Sequence, residues 1–326
     1  MTLSNNLVVN KSGPLLGNIK IPGDKSISHR SIILGSLAEG EMIITNFLES
    51  DDCQCTINAM KNLGAEISFY DKKVFIRGNG LFNLKAPQSE IDAGNSGTLM
   101  RLLTGLLSVQ NFKSSITGDE SLLSRPMERI IKPLSNYGAD IESRENKAPL
   151  IIKPTKELNP IDYHQEIASA QIKSCLMLAS LFINGKSRFY EEIPTRDHTE
   201  NLLEHLGYNI ERTAKTTIIH GQKKILARDI QIASDISSAS FFIVAALISR
   251  DSEISLKNIN MNKYRTGIVT ILEKMGAKID IDNIKTISNE LVGDLKVKSS
   301  KLRSIEISGE IISSLIDELP IILVPL

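Results

Sequence analysis

The chain has 326 residues, of which 41% are hydrophobic and 23% are charged, a composition typical of a globular protein with room for two domains. Its 38 basic residues equal its 38 acidic residues, and this zero net charge gives no support to nucleic-acid binding or to binding at an acidic membrane surface. An anionic ligand would therefore have to meet local positive charge rather than a generally basic surface.

The sequence features that report on location indicate a cytoplasmic protein. The sequence has no apolar run long enough to span a bilayer, and its first residues lack the pattern of a signal or transit peptide. Cys53, Cys55 and Cys175 are odd in number and do not have the spacing of a zinc site, so we expect reduced thiols and no bound metal.

Two sequence phrases alternate along the chain. In the first, an amphipathic helix is followed by Gly and an apolar strand, and its glycines (Gly64, Gly138, Gly207 and Gly276) lie about 70 residues apart. In the second, a Ser- or Thr-rich start opens an apolar helix that we expect to be buried, and a turn and a strand follow. The pattern predicts repeated α/β subdomains, and a fifth copy begins at ISSLIDELPIILVPL.

The first motif with chemical potential is GDKSISHR, at the start of the first buried helix. A helix amino terminus offers free N–H groups and partial positive charge, and Lys25, Ser26 and Arg30 add an ammonium, a hydroxyl and a guanidinium. This set suits phosphate or carboxylate. The spacing differs from that of a Walker loop.

The second repeat contributes two candidate anion sites. In DAGNSGTLMR, Gly97 lets backbone approach a ligand closely at the start of the next buried helix. In ESLLSRPM, Arg125 precedes Pro126, so we expect an extended residue just before a helix, from which the guanidinium can reach an anion.

The third repeat and the unfinished fifth copy supply the remaining candidates. SAQIKS presents Ser169, Gln171 and Lys173 at the start of a buried helix, and PTRDHTE presents Arg196 at the start of a surface helix. His198 is expected to be structural or solvated. In IDELP, we expect Asp317 and Glu318 to lie within an apolar helix, where a carboxylate is costly unless it has a partner or a function such as general base.

Taken in order, the six motifs resemble the 5-enolpyruvylshikimate-3-phosphate synthases, a family of enolpyruvyl transferases, and SAQIKS and RDHTE are similar to the class II branch of that family. The resemblance implies an α/β fold, a two-domain inside-out α/β barrel built of six βαβαββ units, of which this chain would contain about four and a half. It also implies chain crossings near Gly23 and Ala233. The first domain would comprise residues 1–23 and 234–326, and the second would comprise residues 24–233.

The activity that the resemblance implies is transfer of the enolpyruvyl group of phosphoenolpyruvate to the 5-hydroxyl of 3-phosphoshikimate, with release of phosphate and without a metal or organic cofactor. Lys25, Ser26 and Arg30 would bind the shikimate phosphate, and Lys25 would also reach phosphoenolpyruvate and act as a catalytic residue. Two residues, Gly97 and Arg125, would bind phosphoenolpyruvate.

By the same resemblance, Ser169, Gln171 and Arg196 would hold the shikimate moiety and its phosphate. Asp317 would contact the attacking hydroxyl and accept its proton. The expected partners are these two small molecules, with no nucleic acid and no membrane, and the expected state is a monomer.

The sequence departs from the family after IDELP. The family continues with an RVKESDR-like and a DHR-like segment that carry further catalytic and binding residues, and this sequence contains neither. We therefore expect little or no transferase activity from the chain as given, and a poorly stabilised carboxy-terminal domain.

Two alternatives stay open. The related UDP-N-acetylglucosamine enolpyruvyl transferases share the repeat fold, but they have Lys-Asn where this chain has Lys25-Ser26, and a loop Cys that ESLLSRPM lacks. The second alternative is a non-catalytic remnant that retains the shikimate half of the site.

Overall fold

The computed structural model describes residues 10, 13–155 and 158–325, and these residues form four four-stranded sheets with helices packed against them. Each sheet has the same order of pairings, one parallel pair followed by two antiparallel pairs. The sheets therefore reproduce in three dimensions the repeat that the sequence predicts.

The elements of the first two repeats have the following bounds. The strands are β1 (Leu16–Ile19), β2 (Glu39–Thr45), β3 (Glu66–Tyr70), β4 (Lys73–Asn79), β5 (Ile91–Asp92), β6 (Ser114–Thr117), β7 (Ile141–Arg144) and β8 (Lys147–Ile152). The helices are α1 (Lys25–Leu37), α2 (Asp51–Asn62), α3 (Gly97–Leu107), α4 (Glu120–Ser124) and α5 (Glu128–Asn136).

The rest of the described chain continues the pattern. The strands are β9 (Asp162–Gln165), β10 (Lys186–Glu191), β11 (Ile210–Arg212), β12 (Thr216–His220), β13 (Ile230–Gln231), β14 (Glu253–Asn260), β15 (Lys278–Ile287) and β16 (Glu290–Lys298). The helices are α6 (Ala170–Ser180), α7 (His198–His205), α8 (Ile236–Ile248), α9 (Gly267–Lys274), a 3-10 helix (Gly309–Ser314) and α10 (Leu319–Ile322).

The buried helices α1, α3, α6 and α8 begin with the same capping chemistry. The side chains of Asp24, Ser96, Ser169 and Asp235 each accept a hydrogen bond from a backbone N–H in the first turn of the helix that follows. Such a cap satisfies one of the free N–H groups and leaves the others at the end of the helix. The polar starts that the sequence shows are therefore helix amino termini, and they hold the candidate site residues.

Glycines end the surface helices and permit close packing of the buried ones. Gly64, Gly138, Gly207 and Gly276 have positive φ angles of 92°, 111°, 76° and 99°, which confirms the predicted left-handed caps. At the contact between α3 and α6, a Cβ on Gly105 would lie 2.0 Å from the backbone oxygen of Cys175, so only glycine lets the two helices approach this closely.

The sheet pairings show where the chain crosses between two bodies. β1, which precedes the first crossing, pairs with β14, which follows the second crossing. β2 and β13, which lie between the two crossings, pair with each other. One core cluster joins buried residues 27–233 and Val292, and the other joins Ile21 with buried residues 236–322.

We propose that these clusters mark two lobes, a large lobe of residues 24–155 and 158–233 and a small lobe of residues 10, 13–23 and 234–325. The division rests on the two clusters and on the hydrogen-bonded crossing segments, in which Asp24 N donates to Ala233 O at 2.9 Å and Asp235 N donates to Pro22 O at 2.9 Å.

Two local predictions are wrong. Asp317 and Glu318 lie in a turn between the 3-10 helix and α10 rather than within a helix, because Pro320 restricts the helix to the residues around and after it. The sequence also predicts that PTRDHTE opens a surface helix, but the first turn of α7 is buried, since His198, Thr199 and Glu200 are each about 1% exposed.

Candidate active site

A cleft of about 890 Å³ lies between the two lobes, where α1, α6 and α8 begin. Its described lining includes charged side chains of both signs, hydroxyls and a few apolar side chains that are largely exposed. The polar and charged members are Asp24, Lys25, Ser26, Thr98, Ser169, Gln171, Thr195, Arg196, Asp235, Ser237, Ser238, Tyr264, Arg265, Ser313, Ser314 and Asp317.

The first motif enters the cleft at the amino terminus of α1. Gly23 is required before this turn because a Cβ there would lie 1.8 Å from the backbone oxygen of Asn46. Lys25 is about half exposed, and its ammonium lies 3.2 Å from Asp52 Oδ2. Ser26 lines the cleft beside it. The ammonium and the helix end together can receive an anion, provided that the ligand competes with Asp52.

Arg30 is not among the described residues that line the cleft, although the sequence motif includes it. The residue is 4% exposed, and Nε donates to Thr199 Oγ1 at 2.8 Å, Nη1 to Ser26 O at 2.9 Å and Nη2 to Ser174 Oγ at 2.7 Å. Burial lowers its pKa to about 10, which still leaves it charged. Arg30 connects α1 to α6 and α7, and so it fixes the position of Ser26.

The third-repeat motif faces α1 across the cleft. Ser169 caps α6, and Gln171 Nε2 donates to Thr98 Oγ1 at 3.1 Å. Gln171 Oε1 in turn accepts from Arg101 Nη1 at 2.8 Å. These bonds orient the Gln171 amide between α3 and α6 and join the second and third repeats at the cleft wall.

Arg196 and Asp317 meet across the cleft, one from the large lobe and one from the small lobe. Arg196 Nη2 lies 2.5 Å from Asp317 Oδ2, and the two side chains are 24% and 48% exposed. A pair that is this exposed is weak enough for a ligand to displace. Asp317 therefore reaches the cleft despite the wrong prediction for its local structure.

Gly97 and Arg125 lie beside the cleft, outside its described lining. A Cβ on Gly97 would lie 2.9 Å from Arg101 Nη1 and 3.2 Å from Arg125 Nη1, so the two guanidinium groups converge on the start of α3. Arg125 also donates to Asn95 Oδ1 at 2.7 Å and to Ser121 Oγ at 3.2 Å. Arg125 is extended, with φ −78° and ψ 136°, as the following proline predicts.

A second charged cluster in the cleft involves residues that the sequence analysis missed. Arg265 Nη2 lies 3.1 Å from Asp235 Oδ1 and donates to Ser237 Oγ at 2.6 Å, while Arg265 Nη1 lies 3.6 Å from Asp24 Oδ2. Ser237 also donates to Glu318. The Asp-Ile-Ser start of α8 parallels the Asp-Lys-Ser start of α1 and could have indicated Asp235, but Arg265 lies in a loop without a comparable signal.

Burial and charge shape the acidity of this cluster. Burial and the neighbouring Asp24 carboxylate raise the pKa of Asp235 to about 6. Burial acts on Asp24 in the same direction, but Arg265 and His198 outweigh it and hold the pKa of Asp24 below its ordinary value. Burial also raises the pKa of Glu318.

Two motif residues are structural. Lys173 is 1% exposed, and its Nζ lies 2.7 Å from both Glu191 and Glu200, so its ammonium stabilises the interior of the third repeat rather than a ligand. His198 is also 1% exposed, and its Nδ1 lies 2.7 Å from Glu290 Oε1. Of the two roles predicted for His198, structural or solvated, the structure therefore supports the structural one.

The cleft brings cations, carboxylates and helix amino termini together, but its described residues do not form a metal site. Among the residues that the structure describes, no group of three or more His, Cys, Asp or Glu side chains is arranged to hold a metal ion. Within the same residues, none of the helices is long and apolar enough to cross a membrane. These features define a two-lobed α/β protein that gathers helix ends and cations around a small-molecule cleft.

Comparison with known proteins gives this class a family. The model of the family described as EPSP synthase (3-phosphoshikimate 1-carboxyvinyltransferase) matches residues 9–325. The chain is 48% identical over 308 residues to 3-phosphoshikimate 1-carboxyvinyltransferase of Petrotoga mobilis, and the alignment covers 93% of this chain and 71% of the relative. The chain belongs to the EPSP synthase family.

Further relatives agree with this assignment. The 3-phosphoshikimate 1-carboxyvinyltransferase of Ruthia magnifica is 46% identical over 317 residues, and the alignment covers 97% of this chain and 73% of the relative. The EPSP synthase structure from Acinetobacter baumannii superposes with a TM-score of 0.89 at 40% identity, covering 97% of this chain and 72% of that one. The family resemblance and the two-domain α/β fold that it implies are confirmed, whereas the roles of individual site residues stay predictions.

Proposed function

We propose that this protein transfers the enolpyruvyl group of phosphoenolpyruvate to the 5-hydroxyl of 3-phosphoshikimate and releases phosphate, in the shikimate pathway of aromatic amino acid biosynthesis. The observation that carries the proposal is the convergence in one cleft of the helix ends of α1 and α6 with Lys25, Arg196 and Asp317, contributed by both lobes. The names of the relatives support the reaction.

The reaction brings two phosphates and two carboxylates together, so it needs cations and helix amino termini at one place. In our proposal, Lys25 and Ser26 bind the phosphate of 3-phosphoshikimate, with Lys25 also within reach of phosphoenolpyruvate. Ser169, Gln171 and Arg196 hold the shikimate ring and its phosphate. Their positions on the lining of one cleft support these roles.

Asp317 is the proposed proton acceptor. As it takes the proton of the 5-hydroxyl, the oxygen forms a bond to C2 of phosphoenolpyruvate and a proton from water adds to C3, which gives a tetrahedral intermediate. Return of a proton from C3 to water and cleavage of the C2–O bond to phosphate restore the double bond and release phosphate. Asp317 must first leave Arg196, and the exposure of that pair makes this exchange inexpensive.

The proposed site for phosphoenolpyruvate lies at the start of α3. Gly97 leaves space there, and the guanidinium groups of Arg125 and Arg101 converge on that space. Burial lowers the pKa of Arg101, and the charges of Arg125 and Arg129 lower it further. This mutual repulsion indicates a local excess of positive charge, which a phosphate or carboxylate would neutralise.

The test combines calorimetric titration with phosphate release. Wild-type protein should bind 3-phosphoshikimate at one site, and Lys25→Ala should abolish that binding, while Lys132→Ala on the exposed face of α5 should leave it unchanged. Release of phosphate should require both substrates and should fall at least about a hundredfold in Asp317→Asn. A folded wild-type protein that binds neither substrate would contradict the proposal.

A second candidate is binding of 3-phosphoshikimate without catalysis. One observation favours it: the residues proposed for the shikimate half of the site line the cleft, apart from Arg30, whereas Gly97 and Arg125 lie beside it. Binding of 3-phosphoshikimate without subsequent binding of phosphoenolpyruvate would select this candidate.

The proposal also covers the cofactors, oligomeric state and location of the protein. It involves no metal or organic cofactor, and it places the protein as a monomer in the cytoplasm. The unpaired state of Cys53, Cys55 and Cys175 supports a reducing compartment.

A further inference from the structure

The segments that cross between the lobes lead directly into two cleft helices. Gly23 and Ser234 form an antiparallel bridge, and the next residue on each segment, Asp24 or Asp235, caps α1 or α8 respectively. The two cap carboxylates are thereby brought close together in a buried position. Because each cap is on a crossing segment, a change in the angle between the lobes would change the distance between the two cap carboxylates.

Arg265 is inserted between the two caps. Its guanidinium lies 3.1 Å from Asp235 and 3.6 Å from Asp24. A neutral side chain in place of Arg265 would leave these two carboxylates next to each other without a cation. Asp24 uses Oδ1 to cap α1 through Ile27 N at 3.0 Å. Its Oδ2 and Arg265 Nε are buried and have no hydrogen-bond partner among the described residues.

Other charged groups face this cluster from each neighbouring element. His198 and Arg196 act on Asp24 from α7 and the segment before it. Glu318 and Asp317 act on Arg265 from the turn before α10. The hydroxyl of Ser238 donates to Asp235 Oδ2 at 3.0 Å from the first turn of α8. Arg265 therefore contacts both cap carboxylates, and both cationic and anionic side chains surround this cluster.

We propose that Arg265 is a positioning residue: by neutralising the caps of α1 and α8 together, it fixes the angle at which Lys25 and Ser26 enter the cleft. This inference rests on the proposed function, because it assigns to that angle a role in binding 3-phosphoshikimate. Arg265 acts through Asp24 on α1 rather than by contact with the reacting atoms. Its pKa is raised because the carboxylates outweigh burial, so it stays charged.

The test measures the affinity for 3-phosphoshikimate by calorimetry at pH 5.5 and at pH 8, in wild type, Arg265→Gln and Arg265→Gln/Asp235→Asn. Without Arg265, the two caps repel each other when both are ionised, so at pH 8 the affinity of Arg265→Gln should be at least about tenfold lower than wild type. At pH 5.5, a proton shared by the caps should make the loss much smaller. The double variant should recover most of the affinity at pH 8, since Asn is also a good helix cap.

Arg212→Gln is the matched control. Arg212 also bridges two carboxylates, at 2.5 Å from Asp197 and 3.2 Å from Glu204, but it is outside the described lining of the cleft. The affinity of Arg212→Gln relative to wild type should be the same at pH 5.5 as at pH 8. A pH-independent loss in Arg265→Gln, or a loss that Asp235→Asn does not rescue, would overturn the inference.

The outcome can be separated from that of the proposed function. If wild type does not bind 3-phosphoshikimate, the proposed function fails, and the same variants are compared by their urea unfolding midpoints. Arg265→Gln should then be more destabilised at pH 8 than at pH 5.5, and Asp235→Asn should restore stability at pH 8. Equal destabilisation at both pH values would overturn the link between Arg265 and the caps.

Discussion

The ion pair between Arg196 and Asp317 shows how single residues prepare the cleft for an anion. Each of the three cations in the described lining has a carboxylate partner: Lys25 with Asp52, Arg196 with Asp317, and Arg265 with Asp24 and Asp235. An anionic ligand must exchange these partners rather than enter an unpaired basic site. The two exposed pairs can make that exchange at little cost, whereas the buried Arg265 pair is better suited to hold its place.

Replacing Arg196 with Gln should separate ligand binding from stability. The affinity for 3-phosphoshikimate should fall about tenfold to a hundredfold, because a charge-assisted bond to the ligand is lost. The free energy of unfolding should change by less than about 1 kcal/mol, because the pair with Asp317 is partly exposed. Calorimetry and urea unfolding measure the two quantities.

The control for this prediction is Arg188→Gln, which removes an exposed arginine 3.9 Å from Asp162 on the large lobe. It should change neither quantity appreciably. Unchanged affinity in Arg196→Gln would show that Arg196 does not contact the ligand.

At this scale, the sequence predicted which residues reach the cleft better than it predicted their surroundings. Lys25, Ser26, Ser169, Gln171, Arg196 and Asp317 all line it. Arg30 and Lys173 carry the expected charges, but buried partners distant in sequence use them: Thr199 and Ser174 of the third repeat bind Arg30, and Glu191 and Glu200 of its own repeat bind Lys173. Arg265 was missed because its partner Asp24 is on the other lobe and the fold alone brings them together.

At the scale of elements, α1 combines a start that lines the cleft with a buried polar middle. His29 is fully buried, and its Nδ1 lies 2.6 Å from Thr56 Oγ1 on α2. Burial lowers its pKa from 6.5 to about 3, chiefly because charging the ring inside the protein is unfavourable. The contact between α1 and α2 therefore depends on a neutral histidine.

This histidine should make the protein sensitive to acid. Since the pKa of His29 is lower in the folded state than in the unfolded state, its contribution to stability is complete above pH 6.5 and is lost as the pH falls towards 3. The loss should be on the order of 3–5 kcal/mol over that range. Urea unfolding at pH 7 and at pH 4 should show a smaller difference in His29→Gln than in wild type.

His164→Gln is the control, because His164 is exposed and its ring lies 5.2 Å from that of Tyr190, tilted by 37°. It should show the same acid sensitivity as wild type. An equal loss of stability in His29→Gln and wild type would assign the acid response to other groups.

The buried ion cluster between α6 and α7 supports a second prediction for the elements. Lys173→Met would leave Glu191 and Glu200 buried without their shared cation, so the free energy of unfolding should fall by about 3–5 kcal/mol. Lys186→Met, which removes a half-exposed lysine 3.5 Å from Glu211, should cost no more than about 1 kcal/mol. Chemical denaturation of the two variants at pH 7 makes the comparison, and similar losses would contradict a structural role for Lys173.

The elements were predictable where local chemistry determines them. The glycine caps and the polar starts of α1, α3, α6 and α8 follow from residues within a few positions, and the structure contains them. The turn at Asp317 and Glu318 was not predictable from apolar periodicity, because Pro320 shifts the start of α10. The buried start of α7 depends on Glu290 and Asn262 of the small lobe, which contact His198 and Asp197.

For the molecule as a whole, the cleft depends on four repeated units and two chain crossings. The repeat of about 70 residues could be predicted from the sequence because the same capping and packing requirements recur in each unit. The contact of Arg265 with Asp24 and Asp235 in the cleft could not be predicted, since it requires the relative placement of both lobes. The chain spans 71% to 73% of the length of the relatives compared, and within that span the family's fold is present.

Helix α8 of the small lobe is more exposed than the corresponding helices of the large lobe. Phe241 of α8 is 61% exposed and lines the cleft, whereas the corresponding helices α1 and α6 are buried along most of their length. The lining of the cleft therefore includes an exposed aromatic side chain as well as charged groups.

Hydrogen–deuterium exchange in the presence and absence of 3-phosphoshikimate tests most directly whether separate repeats meet on one ligand. We expect slower exchange at the starts of α1 and α6, in the segment around Arg196, and in the 3-10 helix through Asp317, all in the same titration. The hairpin of β3 and β4 should be unaffected. Protection confined to a single repeat, or none at ligand concentrations that saturate calorimetric binding, would contradict a shared cleft.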